Sequence, residues 1–364
     1  MALTPNLTRK TLVLAKRESS YGTDATPGYS GANSSAMLLW DEVNPIQVDT
    51  KILDQQVVRA SFSKYPDLVG RQLYKIKPKT MLMTTPGGGH AHSDAGWTSG
   101  TGDKCGTAAV AGVPPFFGPL LRACATKETV NSSSSVVYAP VSSNFSSATV
   151  HVWADALKHV STGVYGTSTF EGRAGEGIDI MFDMQGNYTA PIDTQPISGL
   201  GTIMYPLDGK KLVEKESLTI SSGYVAPVSH GIQTPVTGPI VRSFKFDLGV
   251  NIIERPDMNS PYGLFGLWPT DRKPTLDLVI EVENNLITTS PYFNPWSILT
   301  SGSSALQTIT FTHGATAAQR SEFTFSSCQL REVQYSDDNG VRTYSLSFNL
   351  VSTTDDGDYT IRFY

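Results

Sequence analysis

The chain has 364 residues with 28 Lys and Arg against 33 Asp and Glu, a net charge of −5. With 39% hydrophobic and 17% charged residues it has the balance of a folded protein of about two domains, which excludes a disordered chain. The acidic balance argues against a protein that grips nucleic-acid phosphates, and 32 Gly, 22 Pro, 15 Tyr and 15 Phe argue against an all-helical fold.

The charge is uneven: residues 1–190 carry +1 and residues 191–364 carry −6. The opening segment MALTPNLTRKTLVLAKRE has no apolar run of signal-peptide length, and no window of about 18 apolar residues follows. The expectation is a protein kept in a cytoplasm and out of membranes, in which the Asn-x-Ser/Thr triplets at Asn6, Asn33, Asn131, Asn144 and Asn187 go unused. Cys105, Cys124 and Cys328 are an odd count at wide spacing and read as free thiols.

In chain order, KIKPKTMLM predicts a strand, and Pro86 to Val113 a long glycine-rich excursion. PPFFGPLLRACATKE predicts a helix with Phe117, Leu120, Leu121 and Cys124 on one face. Strands follow at SSVVYAP, TVHVWADALKHV and GIDIMFDM. In the last, Ile178, Ile180, Phe182 and Met184 alternate with Asp179, Met181 and Asp183, the period of a half-buried strand. A turn-rich stretch from about Pro191 to Pro206 precedes DRKPTLDLVIEV, a short helix FNPWSILTSG, and the strands LQTITFTHG, EFTFSSCQLREV and TYSLSFNLV. This second series repeats the order of the first. Pro78 matches Pro274, Pro119 matches Pro295, Leu157 and Val160 match Leu330 and Val333, and Phe182 matches Phe348. The expectation is a mainly β protein of two tandem β-sandwich domains, residues 1–195 with an insertion at 86–113 and residues 196–364, each with a flanking short helix.

Chemistry-bearing clusters are weak. His90, His92 and Asp94 have a metal-like spacing but sit in a glycine-rich loop with nothing to hold a geometry. GTGDKCG lacks the spacing of a phosphate loop, and no nucleophile elbow, zinc-protease helix or dinucleotide fingerprint occurs. The pairs Asp179/Asp183 and Asp277/Glu281 could serve a glycosidase, but on two-faced strands they read as the solvated face. The expectation is therefore a non-enzyme with no cofactor and no metal. The alternatives are a carbohydrate-active β-rich enzyme, which would need a cleft of converging carboxylates, and an adhesin, which would need an export signal.

Taken together, TRKTLVLAKRESSYGTDATP, FGPLLRAC, SSVVYAPVSSNFSSATV, GTSTFEGRAGEGIDIMFDMQGNYTAP and TDRKPTLDLVIE resemble the major tail tube proteins of long-tailed bacteriophages. The likeness runs from residue 9 nearly to the C-terminus and departs from that pattern in the glycine-rich excursion and around residues 222–238. It implies tail-tube-like β-sandwich domains and a virion protein of the tail, assembled in the host cytoplasm. The partners implied are other copies of the chain in rings and stacked rings, a tape-measure protein, the tail terminator and the tail-tip proteins, with non-specific passage of viral DNA. Single-domain relatives close rings of six, so two domains per chain imply a trimeric disc of pseudo-sixfold symmetry; the alternative is a hexamer. Asp179, Asp183, Asp277 and Glu281 are the candidate lumen-facing acids, because like charge along a wall weakens adhesion of DNA. Gly87, Gly88, Gly89, His90, His92 and Trp97 form the candidate inter-subunit loop.

Overall fold

The computed structural model describes residues 11–27, 35–37, 45–55, 58, 60–82, 114–115, 117–131, 134–174, 176–193, 216–220, 224–226, 240–260, 263–282, 294–301, 306–313, 320–352 and 354–364. Among these, the first half holds β1 (Thr11–Arg17), β2 (Ser35–Met37), β3 (Ile46–Leu53), β4 (Leu68–Ile76), β5 (Lys79–Met81), α1 (Gly118–Ala123), β6 (Thr126–Asn131), β7 (Ser135–Pro140), β8 (Ala148–Ala154), β9 (Leu157–Arg173), β10 (Ile178–Asn187) and β11 (Ile192–Asp193). The second half holds β12 (Glu216–Ile220), β13 (Tyr224–Ala226), β14 (Val241–Asp247), β15 (Val250–Pro256), β16 (Leu264–Arg272), β17 (Thr275–Glu281), α2 (Pro295–Ser301), β18 (Gln307–His313), β19 (Ser321–Asp338), β20 (Val341–Leu350) and β21 (Thr360–Phe363). The chain is mainly β, as the composition and the alternation predict. No helix among the described residues is long and apolar enough to cross a membrane.

The alternation decides which face each strand buries. In β10 the residues Ile178, Ile180, Phe182 and Met184 are buried while Asp183 is exposed, and in β17 Leu276, Leu278 and Ile280 are buried between half-exposed Asp277, Val279 and Glu281. Helix α1 is shorter than the sequence predicts: it spans Gly118–Ala123 with Pro119 in its first turn and buries Leu120, Leu121 and Ala123, while Thr126, Lys127 and Glu128 of the predicted helix belong to strand β6. The chain leaves the helix through Ala125, which adopts φ 54°. Helix α2 is capped by Asn294, whose side-chain oxygen accepts the Ser297 N–H at 3.1 Å.

Every pairing among the described residues is antiparallel, and one sheet with two runs of strands opposite it encloses one continuous core. One sheet runs β3–β4/β5–β10–β9–β14–β17–β20–β19 through both halves. Opposite it lie β2–β1–β8–β9–β11 and β13–β12–β18–β19–β21–β7–β6. The long strands β9 and β19 belong to both assemblies.

The two halves share the central part of their pairing scheme. β9 pairs β8 with its first residues and β10 with its later ones, and β19 does so with β18 and β20. Both outer ladders are bulged at the same place, between Ala148 and Val150 and between Gln307 and Ile309. Phe182 N–H donates to the Pro78 carbonyl at 3.1 Å, as Leu350 N–H does to that of Pro274 at 3.1 Å. Counting across the ladders from those bonds sets Phe170 and Leu330 in the same position. The sequence matching therefore needs correction after the helices. Leu330 corresponds to Phe170 rather than Leu157, and LQTITFTHG forms the counterpart of β8 rather than of SSVVYAP. The hairpin β6–β7, formed in the first half, has no counterpart among the described residues of the second. By the same bonds Phe182 corresponds to Leu350 rather than Phe348, a shift of two residues that period-two alternation cannot reveal, whereas the odd shift from Leu157 to Phe170 crosses the irregular register of β9 against β8. The expected boundary between residues 195 and 196 lies outside the described residues.

Candidate assembly interface

The halves are joined in both layers. In the continuous sheet, β9 pairs β14 from Thr169 opposite Asp247 to Arg173 opposite Ser243. The Phe170 and Phe246 rings stack at 5.8 Å with an interplanar angle of 16°. A Cβ at Gly172 would lie 2.5 Å from Phe244, so this close approach requires glycine. In the opposite layer, the C-terminal β21 pairs β7, Ile361 opposite Tyr138 and Phe363 opposite Val136.

Side chains rivet the joint further. Arg272 of β16 donates to Asp358 at 2.6 Å, Asp356 at 2.7 Å and the Val141 carbonyl at 3.0 Å. Asp356 in turn accepts the Ser142 hydroxyl at 2.5 Å, and its carboxyl is held below the usual range by the Ser142 and Arg272 hydrogen bonds, which outweigh the opposing effect of burial. Tyr21, in the loop after β1, accepts the Leu267 N–H at 2.7 Å, and burial raises its pKa. A cleft of about 550 Å³ opens beside Arg272, lined among others by Phe145, Lys273, Arg331 and Asp358.

The outward face of the continuous sheet gathers the four predicted acids. Met81, Asp179, Glu171, Lys245, Asp277, Ser347 and Glu332 lie opposite one another across successive strands, one lane running through both halves. Asp183 and Glu281 stand on the same face, four residues along their strands from Asp179 and Asp277. Each acid has a partner. Asp179 meets Lys79 at 2.8 Å, Asp183 meets Lys77 at 3.1 Å, Glu281 meets Arg242 at 2.7 Å, and Asp277 accepts the Ser347 hydroxyl. Arg242 also bridges to Asp338 at 2.7 Å. In a single copy the face is thus a lattice of ion pairs with acids and bases interleaved. No family model matches the chain, and no curated protein matches it significantly.

Gly87, Gly88, Gly89, His90, His92, Asp94 and Trp97 lie outside the described residues, as does Cys105. Cys124 and Cys328 are buried free thiols, and burial pushes the Cys328 thiol up to about 12, so neither is poised as a nucleophile. No group of three or more His, Cys, Asp or Glu that could hold a metal occurs among the described residues. Sequence reasoning missed Arg272 and Tyr21 because their partners lie 84 to 246 residues away. It also missed that the sheet runs unbroken from one half into the other.

Proposed function

We propose that the chain is a structural virion protein that self-assembles into stacked rings and forms the tail tube of a long-tailed bacteriophage, a conduit for viral DNA. The observation that carries this reading is the continuous sheet through both halves, which bears a charged lane on its outward face and, among the described residues, does not close on itself. Two halves that share the central part of their pairing scheme suit two wedges of a ring, so three chains complete a disc of pseudo-sixfold symmetry; a hexamer of larger subunits is the competing count. The tube would work in the virion tail, after assembly in the host cytoplasm, around a tape-measure protein and between terminator and tail-tip proteins. Its acids Asp179, Asp183, Asp277 and Glu281 would face passing DNA, where they offset Lys77, Lys79, Lys245 and Arg242 and so keep the wall from gripping phosphates.

Electron microscopy of the purified protein, with native mass spectrometry of dissociated discs, tests the reading. Rings or tubes with three chains per disc are expected. Monomers at every concentration and salt would overturn the assembly reading, and six chains per disc would overturn the tandem-wedge count. Replacing the four acids by lysine should slow DNA ejection from reassembled tails while leaving tubes intact.

A further inference from the structure

The two long strands share a fold position but differ in one edge. Past the residues that pair with β8, the same edge of β9 is taken by β14, from Thr169 to Arg173. Past the residues that pair with β18, the corresponding edge of β19, from Gln329 to Asp338, meets no strand among the described residues, although its opposite edge is laddered to β20 throughout. Because Phe170 and Leu330 are equivalent, Gln329–Val333 occupies the position that in β9 receives β14. Burial does not distinguish the equivalent positions, since Phe170 and Leu330 are both buried, so the difference lies in the edge and not in the core-facing side. Further along the same row Tyr335, 5.1 Å from Tyr344, is 60% exposed, and helix α2 lays Trp296 against both tyrosines.

We propose that the Gln329–Asp338 edge of β19 is the ring-closing surface, and that its occupant is the first half of a second copy of this chain, added as a strand in the manner of β14. This rests on the reading of the chain as a ring-forming protein. The side of the second copy follows from the chain path. Strand β14 immediately precedes the hairpin β15–β16, and β16 leads into Pro274 as β4 leads into Pro78, so the matching flank is the one beside the hairpin β3–β4. The contact is heterologous, head to tail, and such contacts close into rings when the wedge angle allows. It is also poorer than the joint inside the chain. The internal joint adds the β7–β21 ladder and the Arg272 clamp, whereas the counterpart of β21 is β11, a two-residue pairing whose outer edge meets no strand among the described residues. Discs should therefore come apart between chains and not within them. The charged residues Arg331, Glu332, Asp337 and Asp338 are also what guards a solvent-exposed edge, so water is the competing occupant.

Amide hydrogen exchange on the dissociated chain and on the assembled particle decides between them. Assembly should slow exchange of the outward-pointing amides of Gln329–Asp338 by about 100-fold or more, with amides of Thr169–Arg173 protected equally in both states. Assembled rings in which Gln329–Asp338 exchange as fast as in the free chain would overturn this edge assignment and leave the ring reading standing. Failure to assemble under any condition would overturn the ring reading and the edge assignment with it.

Discussion

The outward faces of β8 and β18 occupy matching positions and are treated in opposite ways. Over β8 the loop after β1 folds down as a roof, and Glu18, 4% exposed, is its pin. Its carboxylate accepts from Gly22 N–H at 2.8 Å, Ser147 hydroxyl at 2.6 Å, Thr149 hydroxyl at 2.9 Å and Gly163 N–H at 2.7 Å. Leu12 and Leu14 are buried on the same side of β1, opposite Trp153 and His151, and His151 meets Asp24 at 3.0 Å. The outward residues Thr310 and Thr312 of β18 are only half-buried, and the second half concentrates its burial underneath, in the rings of Phe244, Phe246, Phe311, Phe323, Phe325 and Phe348. One strand plan is thus stabilised by a satisfied polar network on one side and by aromatic packing on the other. The first side should respond to pH and to loss of an acceptor, the second to loss of volume.

The comparison breaks first, and most, at Phe246. Its ring lies within 5.8 Å of Phe170, Phe325 and Tyr359, so Phe246→Ala should cost about 4 kcal/mol, read from the denaturant midpoint. A loss below about 2 kcal/mol would mean the aromatic core repacks freely. Glu18→Gln is next. The amide nitrogen cannot accept from donors that now share two oxygens, leaving one or two of them buried and unpaired at a cost of about 3 kcal/mol. A change under about 1 kcal/mol would show that the roof is dispensable.

His151 sharpens the contrast through pH. Burial first, then Lys158, hold its pKa down to about 4 from the usual 6.5, against the opposing pull of Asp24. As pH falls from 6.5 towards 4 the unfolded chain takes up a proton that the folded chain refuses, so stability declines through that window and is insensitive to this group above it. Each tenfold difference in proton affinity between the two states is worth about 1.4 kcal/mol, so the loss reaches at most about 3.5 kcal/mol. Thermal melts from pH 7 to 4.5 should show it, and His151→Gln should flatten the profile. The smallest effect belongs to the outward lane. Asp183→Asn breaks a well-exposed pair with Lys77 and should move stability by less than about 0.5 kcal/mol, since such pairs contribute little.

The sequence made some of this visible and hid the rest for physical reasons. Alternation in GIDIMFDM and TYSLSFNLV announced strands and their buried faces, because one face of each meets the core. The existence of both helices was legible, but not their bounds: the first begins at Gly118, after the leading prolines of PPFFGPLLRACATKE, and ends at Ala123. The four acids alternate with buried residues along their strands, and the ladders bring Asp179 and Asp277 into one lane with Asp183 and Glu281 on the same face beside it. What alternation cannot encode is which strand lies beside which. The exchange of β7 and β14 across the halves, the register of Leu330, and the Glu18 and Arg272 networks are all contacts between residues far apart in sequence. Glu18 left a faint mark, a carboxylate followed by the turn residues of SSYG, but nothing there named Gly163 as its partner.

The sharing of β9 and β19 between the two layers has a mechanical corollary. Layers held only by side chains can be drawn apart by sliding one over the other, contact after contact. Here each half has a backbone that begins in one layer and finishes in the other, so relative sliding strains covalent chain and sets whole ladders in shear. Hydrogen bonds loaded in shear fail together instead of unzipping singly. Each long strand therefore works as a tie beam, and the molecule should be stiffest along the direction in which β9 and β19 run.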